Sequence, residues 1–352
     1  MFRYSDSTPV SFNDPLPEQV DVVVIGGGII GISTAWYLLE KGLTVVVCDK
    51  GRVNGEQSSR NWGWVRVTGR DPDEVPVAID SLNLWRELAD QLGDGLGFSQ
   101  NGILALTDNE KEFAAFESWL DVARQHELDT RCFSRKEVND YIDVPADKWV
   151  GGIVTPSDCR AEPFTAVPTI ARGLQERGGI VRENCAVRTV EREAGKVASV
   201  VTEHGTIRTQ AVICAAGSWS TLFLSNLGIK LPQLSLRGTV ARLPEAPAVY
   251  EGAAGLEDVF IRRRQDGGYT VACPMAEHTV GPDSFRFVFK FLASMGSGSD
   301  MQIRFGVDAT QQSLPKKRWS GDDETPFEKN RVLDPGPSKR ALNKMRKGLQ
   351  KH

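Results

Sequence analysis

Residues 22–50 read VVVIGGGIIGISTAWYLLEKGLTVVVCDK, and this stretch decides the fold. It opens with the apolar run Val22 to Ile25, typical of a buried strand, which leads into the glycine-rich turn Gly26 to Gly31. A helix-like stretch follows, and a second apolar strand then ends at Asp49. A glycine-rich turn alone is weak evidence. Strand, turn, helix, strand and terminal acid together predict a dinucleotide site.

Three glycines of this turn have predicted roles. Gly26 permits a tight turn, Gly28 lets the backbone approach a pyrophosphate, and Gly31 lets the helix pack closely on the strand. The helix N-terminus adds free N–H groups and a dipole that favours phosphates. Asp49 lies 18 residues beyond Gly31, close to the spacing of about 20 at which an acid binds the ribose hydroxyls. A nucleotide with a free ribose is therefore favoured over NADP.

The composition limits the class of protein. A length of 352 residues exceeds a usual single core, so two domains are expected. With 42 basic and 46 acidic residues the net charge is −4, which gives no general attraction for nucleic acid or acidic membranes. Residues 20–39 are long enough to span a bilayer, but Asp21 and the glycine triplet argue against a membrane span. The first twenty residues lack the apolar core of a secretion signal, so a cytoplasmic location is expected.

The cysteines and histidines show no metal-binding spacing, so no metal site is predicted. Cys48 and Cys214 lie within apolar strand-like runs and are interpreted as small buried hydrophobes in a reducing compartment. His204, between Glu203 and Gly205, is typical of a hairpin turn.

Periodicity further along the chain indicates an interleaved organisation. A second junction between a strand and glycine appears where the apolar run 211–215 ends in Ala216-Gly217-Ser218-Trp219-Ser220. Helices are predicted at 79–92, 112–124 and 163–177, and strands at 102–106, 179–181, 186–193, 198–203, 206–210, 239–243, 259–263 and 269–272.

Three stretches resemble the FAD-dependent amine and amino-acid oxidoreductases typified by D-amino-acid oxidase, glycine oxidase and sarcosine oxidase. They are the opening stretch 22–50, the loop GEQSSRNWGWVR at 55–66 and the strand end AVICAAGSWS at 211–220. Residues 157–179 and 234–243 are similar more diffusely. The resemblance implies FAD as cofactor, hydride transfer to the flavin from the carbon beside an amine, and hydrolysis of the resulting imine.

The resemblance also implies an α/β fold with an α+β second domain. A Rossmann-type FAD-binding domain with a parallel sheet would interleave with a substrate domain built on a mixed, largely antiparallel sheet. The predicted bounds are 20–80 and 151–230 for the FAD-binding domain, 81–150 and 231–333 for the substrate domain, 1–19 for an N-terminal extension and 334–352 for a basic C-terminal helix or tail.

Cofactor contacts carry over from the family position by position. The glycine turn would hold the pyrophosphate, the residues after the second strand would lie at the ribose, and the loop at 55–66 would line the pyrophosphate and flavin. Family members often have glutamate at the Asp49 position. The implied contacts are Gly26, Gly28, Ile29, Ile30, Gly31, Asp49, Lys50, Ser58, Ser59, Arg60, Asn61, Trp62, Val187, Ala216, Gly217 and Trp219.

An amino-acid substrate needs a cation for its carboxylate, and arginine suits it best. Arg66, Arg237 and the run 262–264 are candidates, with Arg66, Arg262 and Tyr269 favoured for the substrate site. The alternative for the run is a solvated strand edge. Trp62 and Trp64 either flank the flavin or plug a domain junction; the sequence favours neither.

The end of the sequence departs from the family pattern. Relatives usually return to the nucleotide-binding domain with a glycine-rich segment that closes over the flavin. No such segment is recognised after Ala272, where the chain instead shows a Gly-Ser loop at 295–300 and a basic helix-like stretch at 339–352. The leading expectation is an FAD-dependent oxidoreductase acting on a small amine or amino acid. A truncated or partner-dependent flavoprotein subunit is the alternative, and an NAD-dependent dehydrogenase is a weaker one.

Overall fold

The computed structural model describes residues 4–291, 300–305 and 318–352. Residues 295–299 of the Gly-Ser loop lie outside this range. The described residues form two compact units. The first takes in those of Met1–Arg60, Val167–Arg237 and Glu277–Gly336, and the second those of Asn61–Ala166, Gly238–Ala276 and Pro337–His352.

The helices and strands predicted from the sequence are present within a few residues of their predicted bounds, and the described residues contain further elements that were not predicted. The helices are Ile29–Glu40, Val75–Leu92, Glu110–Gln125, Val138–Tyr141, Ala166–Glu176, Ser220–Asn226, Pro282–Arg286, Val288–Phe291, Pro326–Lys329 and Lys339–Lys351. The strands are β1 (Val22–Ile25), β2 (Val45–Cys48), β3 (Trp64–Val65), β4 (Ile103–Thr107), β5 (Arg131–Ser134), β6 (Gly151–Thr155), β7 (Cys159–Arg160), β8 (Ile180–Arg182), β9 (Val187–Glu193), β10 (Lys196–Thr202), β11 (Gly205–Arg208), β12 (Ala211–Cys214), β13 (Leu236–Arg237), β14 (Val240–Glu245), β15 (Ala253–Leu256), β16 (Val259–Arg263), β17 (Gly268–Ala272), β18 (Met275–Thr279) and β19 (Asp300–Arg304).

The first unit is built around a parallel sheet in the order β12-β1-β2-β8. Ile25 at the end of β1 pairs with Cys214 on one side and Cys48 on the other, so three strands end at the same level. β1 and β2 are buried along their whole length, as expected of β-branched strands covered on both faces. The parallel sheet predicted from these apolar runs is confirmed.

An N-terminal strap, residues 11–14, covers the outer edge of this sheet. Asn13 forms an antiparallel bridge with Arg182 of the edge strand β8. The Glu183 carboxylate accepts the Ser11 N–H at 2.7 Å, and the Asp14 carboxylate accepts the Val181 N–H at 2.9 Å. The strap therefore satisfies backbone groups that an open edge would expose.

The first unit also contains an antiparallel meander in the order β11-β10-β9 and a third sheet in the order β13-β18-β19, except for Met275 and Ala276 at the start of β18. The hairpin between β10 and β11 places His204 at its turn, as predicted. Trp319, Phe327 and Leu333 pack into the same hydrophobic core as Trp219. Residues well beyond Ala272 therefore belong to the first unit.

The second unit contains a seven-stranded sheet in the order β14-β17-β16-β15-β4-β6-β5. Its neighbouring strands run antiparallel except for β15 and β4, which confirms the predicted mixed, largely antiparallel sheet. Ala341 and Met345 of the basic helix Lys339–Lys351 are buried in its core.

The compact units divide the chain at other residues than the predicted domains. Residues 61–80 and 151–166 lie in the second unit, where β3 pairs with β7. The described residues of 277–333 lie in the first. In the described ranges no helix is both long and apolar enough to cross a bilayer, since residues 20–39 divide into β1 and the helix Ile29–Glu40.

Candidate functional site

The glycine turn in the first unit joins the ends of three parallel strands. Gly26 has φ +107°, and its N–H donates to the Cys48 carbonyl at 2.9 Å. A Cβ on Gly26 would lie 2.5 Å from the Ala215 carbonyl oxygen, closer than real side chains approach. The first glycine junction and the second one, at 215–217, are therefore in direct backbone contact.

The start of the helix Ile29–Glu40 lies against the same turn. A Cβ on Gly31 would come 1.8 Å from the Gly26 carbonyl oxygen, so only glycine lets the helix approach this closely. Gly28 is extended, and a Cβ there would lie 3.0 Å from Ser58 Oγ. The Ile29 N–H donates to Ser58 Oγ at 2.9 Å. The Ser58 hydroxyl accepts this bond and can still donate its own proton. It could therefore donate to a phosphate oxygen at the helix N-terminus.

Asp49 binds the glycine turn as well as lying at the predicted ribose position. Its Oδ2 accepts the Gly27 N–H and its Oδ1 accepts the Gly51 N–H, both at 2.7 Å. Burial raises the pKa of this carboxyl, and these two hydrogen bonds act in the opposite direction. A carboxylate has about four acceptor positions, so two remain for ribose hydroxyls.

A hub around Glu56 connects the loop at 55–66 to later parts of the first unit. Glu56 Oε1 accepts from Lys50 Nζ at 2.8 Å and from the Leu333 N–H at 2.9 Å. Trp219 Nε1 donates to both carboxylate oxygens, and Lys50 Nζ lies 4.5 Å from the centre of a Trp219 ring. Glu56 is not among the residues predicted from the sequence. Its only sequence signal is its position in the loop at 55–66, which resembles the family loop.

The segment 330–334 closes on the same loop. Lys50 Nζ donates to the Asn330 and Arg331 carbonyls at 2.7 and 2.9 Å. Arg60 Nη1 donates to the Leu333 carbonyl at 2.8 Å. Lys50 and Arg60, predicted as cofactor contacts, thus both hold this segment.

The remaining predicted cofactor contacts are distributed over both units. Ser59 Oγ donates to the Glu56 carbonyl at 2.9 Å, and Ile30 is 68% exposed. Val187 is buried at the start of β9, and Ala216 and Gly217 lie in the second junction, where Gly217 has φ +54°. Asn61 and Trp62 belong to the second unit, where Asn61 Oδ1 accepts the Gly63 N–H at 2.7 Å.

These groups in the first unit fit a dinucleotide. Gly26 and Gly31 tolerate no Cβ because backbone atoms of the protein pack against them, and this close packing sets the N-terminus of the helix Ile29–Glu40 at the ends of the strands. The phosphates would be held there, and a ribose at Asp49.

In the second unit Arg262 forms a buried ion pair. It is 1% exposed, and its Nη1 and Nη2 donate to the two Glu162 carboxylate oxygens at 2.9 and 3.1 Å. Its Nε donates to the Trp62 carbonyl at 2.8 Å, and Nη2 also reaches Thr270. Arg262 lies on the strand predicted at 259–263, but its charge is already compensated by Glu162.

The solvated strand edge offered as the alternative for residues 262–264 is wrong. β16 lies inside the sheet between β15 and β17, and Arg262 and Arg264 are both buried. Arg263 points to the other face, 5.1 Å from the Tyr269 ring. The Tyr269 hydroxyl accepts from the Val249 N–H at 2.9 Å and donates to the Pro247 carbonyl at 3.1 Å.

Arg66 and Arg237 lie in different units. Arg237 Nε donates to the buried Glu277 carboxylate at 3.0 Å in the first unit. Arg66 donates to the Thr68 carbonyl in the second unit, and burial lowers its pKa. Next to it, buried Asp158 accepts the Val67 N–H at 2.7 Å, and burial raises the pKa of Asp158 to about 6.

Glu257, Asp258 and His352 bring three potential ligand atoms within 4.8 Å of one another in the second unit. Lys351 forms ion pairs with both carboxylates, at 3.0 and 3.6 Å, and so provides their positive partner. All six cysteines are free thiols, and Cys48 is buried whereas Cys214 is partly exposed.

Comparison with known proteins adds a family and several relatives. Residues 21–332 match the family described as FAD dependent oxidoreductase. Mitochondrial sarcosine dehydrogenase of Mus musculus is 28% identical over 236 residues, 65% of this chain and 26% of that protein. Sarcosine oxidase subunit beta of Rhizobium meliloti is 28% identical over 62% of this chain and 54% of the subunit. The chain spans about a quarter of the length of the mouse relative.

A solved structure is similar over nearly the whole chain. It is L-amino acid deaminase from Proteus myxofaciens in complex with anthranilate. The two agree with a TM-score of 0.87 and 30% identity, over 94% of this chain and 78% of that one.

Proposed function

Because this chain belongs to the family of FAD-dependent oxidoreductases, we propose that it oxidises the C–N bond of an amine or amino acid. FAD, when bound, supplies the acceptor for the hydride that leaves the carbon beside the nitrogen. Water then hydrolyses the imine to a carbonyl compound and an amine or ammonia.

The observation that carries this proposal is the contact between the two glycine junctions. Gly26 and Ala215 meet where a Cβ would lie 2.5 Å from a carbonyl oxygen. Gly26, Gly28 and Gly31 would hold the pyrophosphate of FAD, and Asp49 its ribose. The protein's own part is to bind and orient the cofactor.

The substrate class rests on the relatives. By their names, one is a dehydrogenase of sarcosine and another a deaminase of L-amino acids. Both names describe small molecules with a C–N bond, which supports an amine or amino acid as substrate here.

The test begins with the visible absorption spectrum of the purified protein, with FAD added if none is retained. A panel of amino acids and N-methylated amines is then added without oxygen. We expect one of them to bleach the flavin bands. A protein that never acquires a flavin spectrum would refute the cofactor assignment, and a stable flavin that no compound bleaches would refute the substrate class.

A second candidate is a subunit that works only with a partner. The match to sarcosine oxidase subunit beta supports it. Bleaching of the flavin by this chain alone would exclude a need for a partner in substrate oxidation. The NAD-dependent alternative gains no support from the comparisons.

A further inference from the structure

Arg160, in β7 of the second unit, is a buried arginine with an unused donor. It is 8% exposed, and its Nη1 has no hydrogen-bond partner within the described part of the chain. Its Nε donates to the Glu251 backbone carbonyl at 3.3 Å. A buried donor without an acceptor is costly, so such a group points to a missing partner.

The nearest carboxylate is already occupied. Glu162 accepts two bonds from Arg262 and a third from the Gln265 N–H at 3.0 Å. Arg160 Nη1 lies 3.8 Å from Glu162 Oε1, beyond hydrogen-bond distance. Two buried guanidinium groups therefore face one buried carboxylate, while Glu251 is exposed. The cluster has an excess of positive charge that an anion would balance.

Two glycines leave space for the ion pair between Arg262 and Glu162. Gly63 has φ +74°, and a Cβ there would lie 2.6 Å from Arg262 Nε. Gly97 has φ +57°, and a Cβ there would lie 2.3 Å from Glu162 Cγ. The chain makes room on both sides for this pair, and three hydrogen bonds hold Glu162 in it.

Three partly buried rings contact one another, and we call Trp62, Trp64 and Phe260 the aromatic trio. Trp64 is the direct partner of Arg160 in the antiparallel β3–β7 pair, so the two side chains share one face. The ring centres are 5.6 Å apart for Trp62 and Trp64, 4.6 Å for Trp62 and Phe260, and 5.8 Å for Trp64 and Phe260. An apolar surface thus adjoins the unused cation.

We propose that Arg160 and the aromatic trio bind a carboxylate that carries an aromatic group. This inference rests on the proposed function and narrows it, because the ligand would be an aromatic amino acid. Arg160 Nη1 would donate to the ligand carboxylate, and the aromatic trio would pack against its ring.

Anthranilate, an aromatic carboxylate, is the probe. It is titrated into the full-length protein while tryptophan fluorescence and heat of binding are followed. We expect saturable binding that weakens at least about tenfold in Arg160→Gln, since one charge-assisted hydrogen bond is lost. Aniline, which has the ring but no carboxylate, should bind equally to the wild type and the variant.

Two further variants separate this site from a structural role. Arg160→Lys retains the charge and should recover part of the affinity, and it replaces Arg160→Gln if that variant does not fold. Arg124→Gln is the control, because that arginine is exposed on the helix Glu110–Gln125 of the second unit and should leave anthranilate binding unchanged.

Anthranilate affinity that is unchanged in both Arg160 variants would overturn the inference. So would an equal loss for aniline and anthranilate, which would indicate a structural role only. Neither readout needs flavin turnover. Flavin bleaching by amino acids with unaltered anthranilate binding in the variants would therefore leave the proposed function standing and refute this site alone.

Discussion

The indole N–H of Trp219 donates to both carboxylate oxygens of Glu56, at 3.1 and 3.0 Å. Trp219 follows the second glycine junction and Glu56 begins the loop after the first βαβ unit, so one contact joins two separate motifs. Lys50 balances the charge of Glu56 at 2.8 Å. The loop at 55–66, which would border the cofactor, is therefore held by the ion pair between Lys50 and Glu56. The Trp219 ring contacts both members of that pair.

Glu56→Gln should loosen this hub. An amide cannot accept from Lys50, Trp219 and the Leu333 N–H together, and Lys50 loses its counter-charge. We expect the free energy of unfolding to fall by about 2 kcal/mol, measured by denaturant titration. Glu87→Gln, at an exposed position of the helix Val75–Leu92, is the control and should change little. Equal midpoints for the two variants would contradict the role of the hub.

Gly31→Ala should disrupt the cofactor turn. The new Cβ would lie 1.8 Å from the Gly26 carbonyl oxygen, so the helix must move away. We expect a loss of about 3 kcal/mol in unfolding free energy and at least tenfold weaker FAD binding, measured by flavin fluorescence. Gly42→Ala is the control, because Gly42 has φ +80° with nothing within 4 Å, and it should cost only about 1 kcal/mol. Unchanged FAD affinity in Gly31→Ala would refute this.

Asp49→Asn should weaken FAD binding by about tenfold or more. One side-chain oxygen becomes an amide donor, which cannot accept from Gly27 or Gly51 and offers fewer positions to a ribose. Asp49→Glu keeps the carboxylate and should retain more affinity. Titration of the FAD-free protein with FAD measures the dissociation constants of the wild type, Asp49→Glu and Asp49→Asn. Equal dissociation constants for the wild type and Asp49→Asn would contradict the role of Asp49.

Asp158 should make stability depend on pH. Burial raises its pKa from 3.8 to about 6, so the folded state binds the proton more tightly than the unfolded state. Its contribution therefore lowers stability as pH rises from about 4 to 6, by about 3 kcal/mol, and is constant above that range. Comparison of Asp158→Asn with the wild type by thermal unfolding at pH 4, 5, 6 and 7 should show a smaller loss of stability with rising pH in the variant than in the wild type. Asp80→Asn, an exposed change, should retain the loss seen in the wild type.

Glu162→Gln should destabilise the second unit by about 3–5 kcal/mol, because Arg262 would remain buried without its counter-charge. The double variant Glu162→Gln with Arg262→Met should recover much of that loss. Denaturant unfolding of both variants measures the difference. A double variant no more stable than the single one would show that the ion pair is not the cause.

The local parts of the fold could be predicted from the sequence. The runs in β1 and β2, the glycine turn and Asp49 lie within 29 consecutive residues, where spacing alone predicts a parallel βαβ unit. The sequence likewise predicts a strand at 259–263, and the structure has β16 there.

The partners of these residues could not be predicted. Glu162 lies 100 residues from Arg262, and Glu56 lies 277 residues from Leu333, so no periodic pattern links them. No sequence pattern marks Arg160, since its importance depends on a donor left without an acceptor in the described residues. The domain bounds differ for the same reason: the pairing of β3 with β7 joins segments nearly a hundred residues apart.

The N-terminal strap also affects how the protein can be handled. The bridge between Asn13 and Arg182 occupies the outer edge of the parallel sheet. A version shortened past Asp14 would expose that edge to the edges of other molecules, and such edges template intermolecular strand pairing. Removing these residues to aid crystallisation would therefore cause the protein to aggregate through the exposed edge of the sheet.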